Sequence, residues 1–491
     1  MLAPAAGLGR SAGENGPGSV DRPHLSRSEG YRSLRRRPTL PIVTATPEPL
    51  SLVSARPPAP RRAAAGPDTW RSRVLDAVEA EAEAMVALLA RMVQEPSVGG
   101  SDEENDSQAR LARAMTEDGL DVDHWQVPLA ETLALPGFPG VEVDRREAWG
   151  LVGRLAGRGD GPSLMLQGHI DVVPAGPDAA WRDASPFSGR IVGGELHGRG
   201  ACDMKGGLVA AVWAVRALRR AGVPLRGDVL LASVQGEEDG GLGSVAMLER
   251  GWRADACVVP EPTGLDVVPA NAGALTFRLR VPGVATHASR RLDGVSALDK
   301  LWPVWRALQD LERARNLDVD PLMARWELPY PISLGTVRGG IWASSVPDLV
   351  EVEGRIGVVL GEPVERARAA LVAAVAAACA ADPWLRDHPV EVQWWGGQFA
   401  PGRTDPDHPL VHGLRAARAV SGGPGAPVPA VWGAPYGSDL RLLVAAGVPT
   451  VQFGPGDAGL AHGTEERVPL VEVLAVARAL AVLAVDTCGV A

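Results

Sequence analysis

Residues 163–173 place an imidazole and a carboxylate directly after a short apolar run, and this arrangement constrains the chain more than any other feature. The apolar run at residues 164–166 predicts a buried strand. His169 and Asp171 follow with a spacing of i and i+2, so on a strand their side chains leave the same face. A carboxylate beside a metal-binding histidine commonly fixes the tautomer of the imidazole. The stretch therefore predicts the first part of a metal site.

Asp203 lies on a second informative stretch, the glycine-rich residues 198–207. An apolar helix is predicted directly after it, at about residues 205–221. A carboxylate on a loop that leads into a helix is suited to join the imidazole of His169 in binding a cation. Neither stretch makes a metal site alone.

Further ligand-type side chains follow other predicted strands. They come after the strands at 228–234, 256–259 and 450–453, and they are Glu237, Glu238, Glu261 and His462. The carboxyl ends of parallel strands meet at one edge of a sheet, so these side chains are expected to lie close together. An imidazole and a carboxylate on each side of a shared Asp203 favour two borderline cations such as Zn²⁺. One of the adjacent glutamates then stays free to act as a base toward water.

Composition narrows the class of partner. The 491 residues carry a net charge of −10, which argues against a nucleic-acid surface and favours a small molecule or a peptide. The chain has no uninterrupted apolar run long enough to span a bilayer, so no membrane association is expected. The four cysteines form no CxxC pair and are typical of reduced thiols in a cytoplasmic protein.

The order of predicted elements indicates an α/β protein with an insertion. Residues 1–66 are rich in Pro, Gly, Ser and Arg and are expected to be disordered. In residues 67–272 and 399–491, strands alternate with helices, which is typical of a mostly parallel sheet covered by helices. Residues 273–398 instead predict the order strand–helix–strand–strand–helix–strand, which indicates a smaller α+β domain of ferredoxin-like type. The parent domain is therefore predicted to be split by the insert.

Taken singly, each of these polar residues is more often structural or solvent-exposed than catalytic, and the ordered set is what favours a site. The set resembles the co-catalytic metallo-hydrolases that include acetylornithine deacetylase, succinyl-diaminopimelate desuccinylase, aminoacylase and glutamate carboxypeptidase. The motifs that carry the resemblance are His-Ile-Asp171, residues 198–207, Glu237-Glu238, Glu261-Pro-Thr263 and Ala461-His462. The acetylornithine deacetylase and desuccinylase branch is the most similar. The resemblance implies the zinc-peptidase-like fold with an inserted lid or dimerisation domain.

The resemblance also implies a role for each residue of the set. One metal ion is expected to be held by His169, Asp203 and Glu261. The other is expected to be held by Asp203, Glu238 and His462, so that Asp203 bridges the two. Asp171 is expected to orient His169, and Glu237 to act as the general base. Zn²⁺ is the expected metal, with Co²⁺ and Mn²⁺ as alternatives.

Two residues of the insert match the family as well, and a third position departs from it. His287, in residues 284–288, resembles the lid histidine that reaches the site of the neighbouring subunit and stabilises the oxyanion. Arg355 resembles the arginine that grips the substrate carboxylate, a task suited to a forked guanidinium. Ser345 stands before Val-Pro where relatives often carry Asn, and it is a candidate for substrate binding. For His287 and Arg355, a purely structural or surface role is the alternative. A homodimer through the insert is expected.

The sequence thus predicts a cytoplasmic, two-metal hydrolase that removes an acyl group from an N-acyl amino acid. A dipeptidase or carboxypeptidase is the nearest alternative, because it uses the same chemistry on a peptide bond. A non-catalytic metal-binding homologue is the alternative from another class. The complete ligand set and Glu237 argue against the non-catalytic alternative.

Overall fold

The computed structural model of this protein describes residues 66–182 and 185–491. The predicted disordered extension, residues 1–66, lies outside the described residues except for its last position.

Eleven helices are distributed over the described part of the chain. They are α1 (Pro67–Glu79), α2 (Ala82–Gln94), α3 (Asp102–Glu117), α4 (Leu129–Leu133), α5 (Gly206–Ala221), α6 (Leu242–Glu249), α7 (Ala297–Arg315), α8 (Val364–Ala381), α9 (Pro409–Gly422), α10 (Leu440–Ala445) and α11 (Leu470–Cys488).

Sixteen strands form three sheets in the same residues. They are β1 (Asp121–Gln126), β2 (Trp149–Leu155), β3 (Leu164–His169), β4 (Arg190–Val192), β5 (Glu195–His197), β6 (Val229–Val234), β7 (Ala256–Val259), β8 (Val267–Asn271), β9 (Gly273–Pro282), β10 (Ile332–Gly339), β11 (Leu349–Val358), β12 (Glu391–Phe399), β13 (Gly402–Arg403), β14 (Val431–Ala434), β15 (Thr450–Gln452) and β16 (Arg467–Pro469).

The largest sheet has nine strands in the order β1-β2-β6-β3-β7-β15-β8-β13, with β14 beside β8. Its centre, β6-β3-β7-β15, is parallel, and the strands toward both edges are mostly antiparallel. The four central strands are buried along their whole length, as is typical of parallel strands with helices on both faces of the sheet. The predicted α/β class with a helix-covered parallel sheet is confirmed.

Helices α5 and α11 supply most of the cover on one side of this sheet. Both are buried over most of their length and pack against each other, with α1, α2 and α9 around them. Lys205 anchors the start of α5, because its fully buried ammonium donates hydrogen bonds to the carbonyls of Met92 and Glu95, at 2.7 and 2.8 Å. Those carbonyls end α2, so a single side chain satisfies acceptors that the helix leaves unpaired.

A separate four-stranded antiparallel sheet is formed by β9, β10, β11 and β12 in the order β10-β11-β9-β12. Helices α7 and α8 pack on one of its faces over a shared apolar core. This is the predicted ferredoxin-like arrangement, with alternating buried and partly exposed residues on β9. The domain boundaries themselves, at residues 272 and 398, stay a prediction.

Periodicity identified the long elements but not the short ones. Strands β4, β5, β8, β13, β14 and β16 were not among the predicted elements. All six are only two to five residues long, and so short a segment shows too few alternations to be recognised. Among the residues that the structure describes, no helix combines the length and hydropathy needed to cross a membrane.

Candidate metal centre

The ends of the central parallel strands bring the predicted ligands to one edge of the sheet. His169 is the last residue of β3, Glu237 and Glu238 follow β6, and Glu261 follows β7. Strands β3 and β6 are in parallel register, with His169 opposite Val234, so both chains leave the sheet at the same level. The sequence places these ligands together because parallel neighbours end side by side.

Close backbone packing brings the Asp203 loop against the Glu261 segment. A Cβ atom at Gly207, in the first turn of α5, would lie 1.8 Å from the carbonyl oxygen of Pro260. Only glycine fits at such a distance. The glycine-rich sequence after Asp203 therefore allows the start of α5 to touch the residue that precedes Glu261.

Asp203 faces both histidines of the predicted set. Its Oδ1 lies 3.2 Å from Nε2 of His169, and its Oδ2 lies 3.4 Å from Nε2 of His462. Nε2 of His462 is also 3.1 Å from Oε2 of Glu238. Asp203, Glu238 and His462 are thus brought together, and the two oxygens of Asp203 point toward different imidazoles.

Potential ligand atoms cluster in two groups, and within each group all of them lie within 4.8 Å of one another. One group is formed by His169, Asp203 and Glu238, and the other by His169, Glu237 and Glu261. This grouping differs in one respect from the one that the resemblance implies. Glu237, predicted as a free base, lies as close to His169 and Glu261 as a ligand would. The structure therefore brings all six residues into one centre.

Asp171 supports this centre in a way that differs from the expectation. Nδ1 of His169 lies 2.9 Å from the backbone carbonyl oxygen of Asp171 and 3.8 Å from its carboxylate. The carboxylate instead accepts hydrogen bonds from the backbone amides of Glu237 and Glu238, at 3.4 and 3.3 Å. Asp171 thus holds the imidazole through its main chain and the paired glutamates through its side chain.

The carboxylates of the centre have perturbed acidities. Burial raises the pKa of Glu237 well above its usual value of 4.5, and the negative charge of Asp439 raises it further. Burial also raises the pKa of Glu261 well above its usual value, with Asp203 as the next cause. Asp203 behaves in the opposite way. Burial opposes its ionisation, but hydrogen bonds to His169 and His462 hold its pKa below the usual range.

Both imidazoles are basic in this environment. Burial alone would lower the pKa of His169, but the carboxylates of Asp203, Asp171 and Glu261 outweigh it and hold the pKa well above 6.5. Hydrogen bonds to Asp203 and Glu238 raise the pKa of His462 to about 11. The carboxylates of the centre therefore stabilise positive charge on both imidazoles.

The donor set fits divalent cations. Among the described residues, no lysine or arginine forms an ion pair with Asp203, Glu237, Glu238 or Glu261, and Oε1 of buried Glu237 has no hydrogen-bond partner. Carboxylates that are buried without a compensating charge are costly, and bound cations are a common compensation. Mixed imidazole and carboxylate ligands suit Zn²⁺ and similar metals.

Two residues that the sequence interpretation did not include hold the Asp203 loop in place. The buried carboxylate of Glu466 pairs with the guanidinium of Arg199 and accepts hydrogen bonds from the amides of Cys202 and Asp203, at 3.2 and 3.3 Å. Arg199 also donates to the carbonyl of His462, at 2.9 Å. The available signal was their nearness to ligands in the sequence, because Arg199 lies within residues 198–207 and Glu466 lies four positions after His462.

A cavity of about 400 Å³ opens above the predicted ligands. Its lining includes Arg355 from β11, whose side chain forms no hydrogen bond or ion pair within 4.0 Å with any described residue. Burial lowers the pKa of this guanidinium, and the negative charge of Glu142 opposes that effect. Glu142 and Tyr436 also line it, and the sequence interpretation missed both of them. The Tyr436 hydroxyl is buried without a hydrogen-bond partner in the described part of the chain. The cavity thus presents an unpaired cation and polar groups next to the metal-binding edge.

His287 and Ser345 do not line this cavity. They form an isolated bridge between two segments of the insert, and His287 is exposed. Nδ1 of His287 lies 2.7 Å from the hydroxyl of Ser289. Within one chain, therefore, the structure brings Arg355 to the centre but leaves His287 and Ser345 apart from it.

Comparison with solved structures finds the same fold. The dipeptidase Dug1p from Saccharomyces cerevisiae superposes with a TM-score of 0.67 at 16% identity, over 84% of this chain and 98% of that one. Human carnosine dipeptidase 1 gives a TM-score of 0.66 at 14% identity, over 85% and 99% of the two chains. At such low identity, these similarities establish the fold alone.

Sequence comparison is more specific. N-formyl-4-amino-5-aminomethyl-2-methylpyrimidine deformylase of Bacillus subtilis (strain 168) is 28% identical over 397 residues, which are 75% of this chain and 85% of that protein. Succinyl-diaminopimelate desuccinylase of Methylobacterium sp. (strain 4-46) is 36% identical over 215 residues, 42% of this chain and 50% of that protein. Residues 165–486, more than half of the chain, match the profile of peptidase family M20/M25/M40. The resemblance found in the motifs is confirmed, and the chain belongs to peptidase family M20/M25/M40.

Proposed function

We propose that this protein is a metal-dependent hydrolase that cleaves the amide bond of an N-acyl amino acid. The observation that carries the proposal is a cluster of two imidazoles and four carboxylates beside a cavity. His462 and the four carboxylates line this cavity, and its wall also presents the guanidinium of Arg355. Such a cavity offers a reactive edge for an amide and, beside it, a cation for a carboxylate.

The relatives support acyl transfer to water as the reaction class. By their names, the Bacillus subtilis relative removes a formyl group and the Methylobacterium relative removes a succinyl group. A dipeptidase or carboxypeptidase is the second candidate, because Arg355 suits the terminal carboxylate of a peptide equally well. The reaction would be the same on either substrate.

The proposed metal ligands are those that the resemblance implies. One cation is assigned to His169, Asp203 and Glu261, and the other to Asp203, Glu238 and His462, with zinc as the expected metal and cobalt or manganese as alternatives. The direction of the Asp203 oxygens toward different histidines supports the bridging assignment. When bound, such cations supply Lewis acidity, which polarises an amide carbonyl and lowers the pKa of water.

The chain's own residues supply the remaining steps. Glu237 removes a proton from the attacking water and returns it to the departing amine, a role that its raised pKa favours. Arg355 orients the substrate through its carboxylate. His287, from the second copy in a dimer through the insert, donates a hydrogen bond to the oxyanion that forms at the amide carbon.

The test compares metal-free protein with protein that is reloaded with Zn²⁺, Co²⁺ or Mn²⁺. Each preparation is assayed against N-formyl, N-acetyl and N-succinyl amino acids and against dipeptides of matched side chain. We expect turnover only in reloaded protein, and faster turnover of acyl amino acids than of dipeptides. Asp203→Ala, assayed for bound metal, should lose stoichiometry because both cations share that carboxylate.

Each contrary result has a distinct meaning. Turnover of dipeptides alone would favour the second candidate. Full metal occupancy without turnover on any substrate would favour a non-catalytic homologue. Retention of two metals by Asp203→Ala would refute the bridging role of that residue without affecting the reaction class.

A further inference from the structure

Glu142 places a carboxylate in the wall of the cavity, and only one of its two oxygens is engaged. Oε1 accepts hydrogen bonds from the hydroxyl of Thr276 and the amide of Gly397, at 3.1 and 3.2 Å. Among the described residues, Oε2 has no hydrogen-bond donor, and no lysine or arginine pairs with the carboxylate within 4.0 Å. The cavity therefore contains an exposed anion whose second oxygen can receive a donor.

The segment that carries Glu142 is held firmly on both sides. The amides of Glu142 and Val143 donate to Oδ2 of Asp239, at 3.2 and 3.0 Å. Arg145 donates to the same oxygen at 2.8 Å, and its other nitrogens contact buried Glu104. Because Asp239 directly follows Glu237-Glu238, Glu142 is fixed in relation to the proposed base.

Glu142 also lies beside the unpaired Arg355. Arg355 on β11 is directly opposite Thr276 on β9, and Thr276 is the residue that holds Oε1 of Glu142. Residues opposite one another on an antiparallel pair have Cβ atoms about 4.5–5.5 Å apart. The guanidinium and the carboxylate form no ion pair within 4.0 Å, although the negative charge of Glu142 opposes the effect of burial on the pKa of Arg355. The same part of the wall therefore presents two opposite charges side by side, each with room for a substrate group.

A wall of this kind complements a substrate that carries both charges. We infer that Glu142 selects substrates that carry a cationic nitrogen. This nitrogen lies in the part of the substrate that leaves as the amine, near the carboxylate that Arg355 binds. The inference rests on the proposed function and adds a substrate class to it: N-acyl derivatives of amino acids with a basic side chain. A neutral isostere would leave the second oxygen of the Glu142 carboxylate without a donor from the substrate.

Two kinds of substrate carry this nitrogen. One is an acylated amino acid with a side-chain ammonium, which also has the carboxylate for Arg355. The other is an acylated amine with an amino-substituted heterocycle and no carboxylate. Arg355→Met distinguishes them, because it should weaken binding of the first and leave the second unchanged.

The decisive variant is Glu142→Gln, whose amide oxygen can still accept from Thr276 and Gly397 while the charge is lost. Metal-loaded wild-type protein is assayed with Nα-acetyl-lysine and with Nα-acetyl-norleucine, which lacks the ammonium. We expect Glu142→Gln to reduce kcat/KM for the lysine substrate about 10- to 100-fold, mostly through KM, because one charge-assisted hydrogen bond is lost. The norleucine substrate should change by less than about twofold. Glu391→Gln, an exposed carboxylate on β12 outside the cavity, is the matched control and should behave as wild type.

The outcomes separate this inference from the proposed function. Equal loss on both substrates would show that Glu142 only positions its segment, and a wild-type preference for norleucine would overturn the inference directly. If no acylated substrate is hydrolysed, the proposed function fails, and calorimetric binding of lysine against norleucine then decides the role of Glu142. In that assay, tighter binding of lysine that Glu142→Gln abolishes supports the inference, and equal binding overturns it.

Discussion

At the scale of single residues, the centre is defined by buried carboxylates that form no ion pair with a lysine or arginine of the described residues. Glu237 and Glu261 are buried and have raised pKa values. Among the described residues, the only cationic groups that pair with carboxylates of the centre are two imidazoles. His169 pairs with Asp203, and His462 pairs with Glu238. Asp171 and Lys205, by contrast, are fully engaged by the backbone. The first set is suited to chemistry and cation binding, and the second to support.

Glu237→Gln tests the general base. The amide cannot accept a proton from water, so we expect a loss of about 10²–10⁴-fold in kcat, while both metals stay bound because Glu237 has no assigned ligand role. Turnover is measured together with metal content. Near-normal turnover would remove Glu237 from the mechanism, and loss of one metal would show that its proximity to His169 and Glu261 reflects ligation.

Metal binding should release protons at neutral pH. In the metal-free protein, His462 has a pKa of about 11 and His169 a pKa well above 6.5, so both imidazoles carry a proton that a metal must displace. We expect at least two protons per chain, and an affinity that falls about tenfold per displaced proton for each unit of decreasing pH. Calorimetry in buffers of different ionisation enthalpy measures the number. His462→Ala should release fewer protons, and an unchanged count would contradict the assignment.

The raised pKa of His462 also predicts how the stability of the metal-free protein depends on pH. The folded-state pKa of His462 is raised above the unfolded value of 6.5, so its pairing with Asp203 and Glu238 stabilises the fold fully below pH 6.5. That contribution is lost as the pH rises toward about 11. Above neutral pH, metal-free wild type should therefore lose more of its melting temperature than His462→Ala does, and equal loss would contradict this.

At the scale of elements, the centre depends on contacts that tie loops to the ends of strands. Strands β3, β6 and β7 deliver their ligands by parallel register, but Asp203 and His462 lie on loops with no register to position them. The ion pair of Arg199 and Glu466 positions these loops instead. Glu466 accepts a hydrogen bond from the amide of Asp203, and Arg199 donates one to the carbonyl of His462.

Glu466→Ala tests this connection. The side chains of Arg199 and Glu466 are 3% and 0% exposed, so removal of the carboxylate leaves a buried guanidinium unpaired. We expect the free energy of unfolding to fall by about 3–5 kcal/mol, the cost typical of breaking a buried pair. Metal affinity should fall as well, because Cys202 and Asp203 lose their acceptor.

The adjacent Glu465→Ala is the control, since that side chain is 53% exposed and should change stability by no more than about 0.5 kcal/mol. Urea unfolding of the metal-free proteins measures both effects. Equal stability of the two variants would show that the pair contributes nothing net.

At the scale of the whole molecule, the exposed surface of the insert bears on the proposed dimer. His287 is exposed, its Nε2 has no hydrogen-bond partner among the described residues, and it does not line the cavity of its own chain. The outer surface of α7 also exposes Leu298 and Trp302, at 54% and 60%, which is apolar area available to a partner. Both observations support the proposed dimer.

Complementation between inactive variants tests it. His287→Ala should bind two metals normally and lose about 10²–10³-fold in turnover, the cost of one oxyanion donor. Co-expression with Glu237→Gln should restore part of the activity, since one site of a mixed dimer receives intact Glu237 from one chain and intact His287 from the other. Verified mixed dimers without rescue would mean that His287 acts within its own chain or outside catalysis.

The predictable part of this protein is the part that is encoded locally. Periodicity identified the long helices and strands, because a buried face repeats every two or 3.6 residues wherever it occurs. The ligand motifs at the ends of β3, β6 and β7 were recognisable, because parallel strands that end together must present their next residues together. The order of elements in the insert likewise predicted its ferredoxin-like sheet.

Only the tertiary structure decided which distant side chains complete the centre. Arg199 and Glu466 are 267 positions apart, and Arg145 and Asp239 are 94 apart. Glu142 enters the cavity through contacts with β9 and with Gly397, 255 positions away, and no local pattern marks it. Asp171 shows the same limit at short range, because its carboxylate turned out to hold the amides after β6 rather than the imidazole two residues before it. Local sequence specifies which face of an element is buried, whereas hydrogen bonds between loops depend on how the whole chain packs.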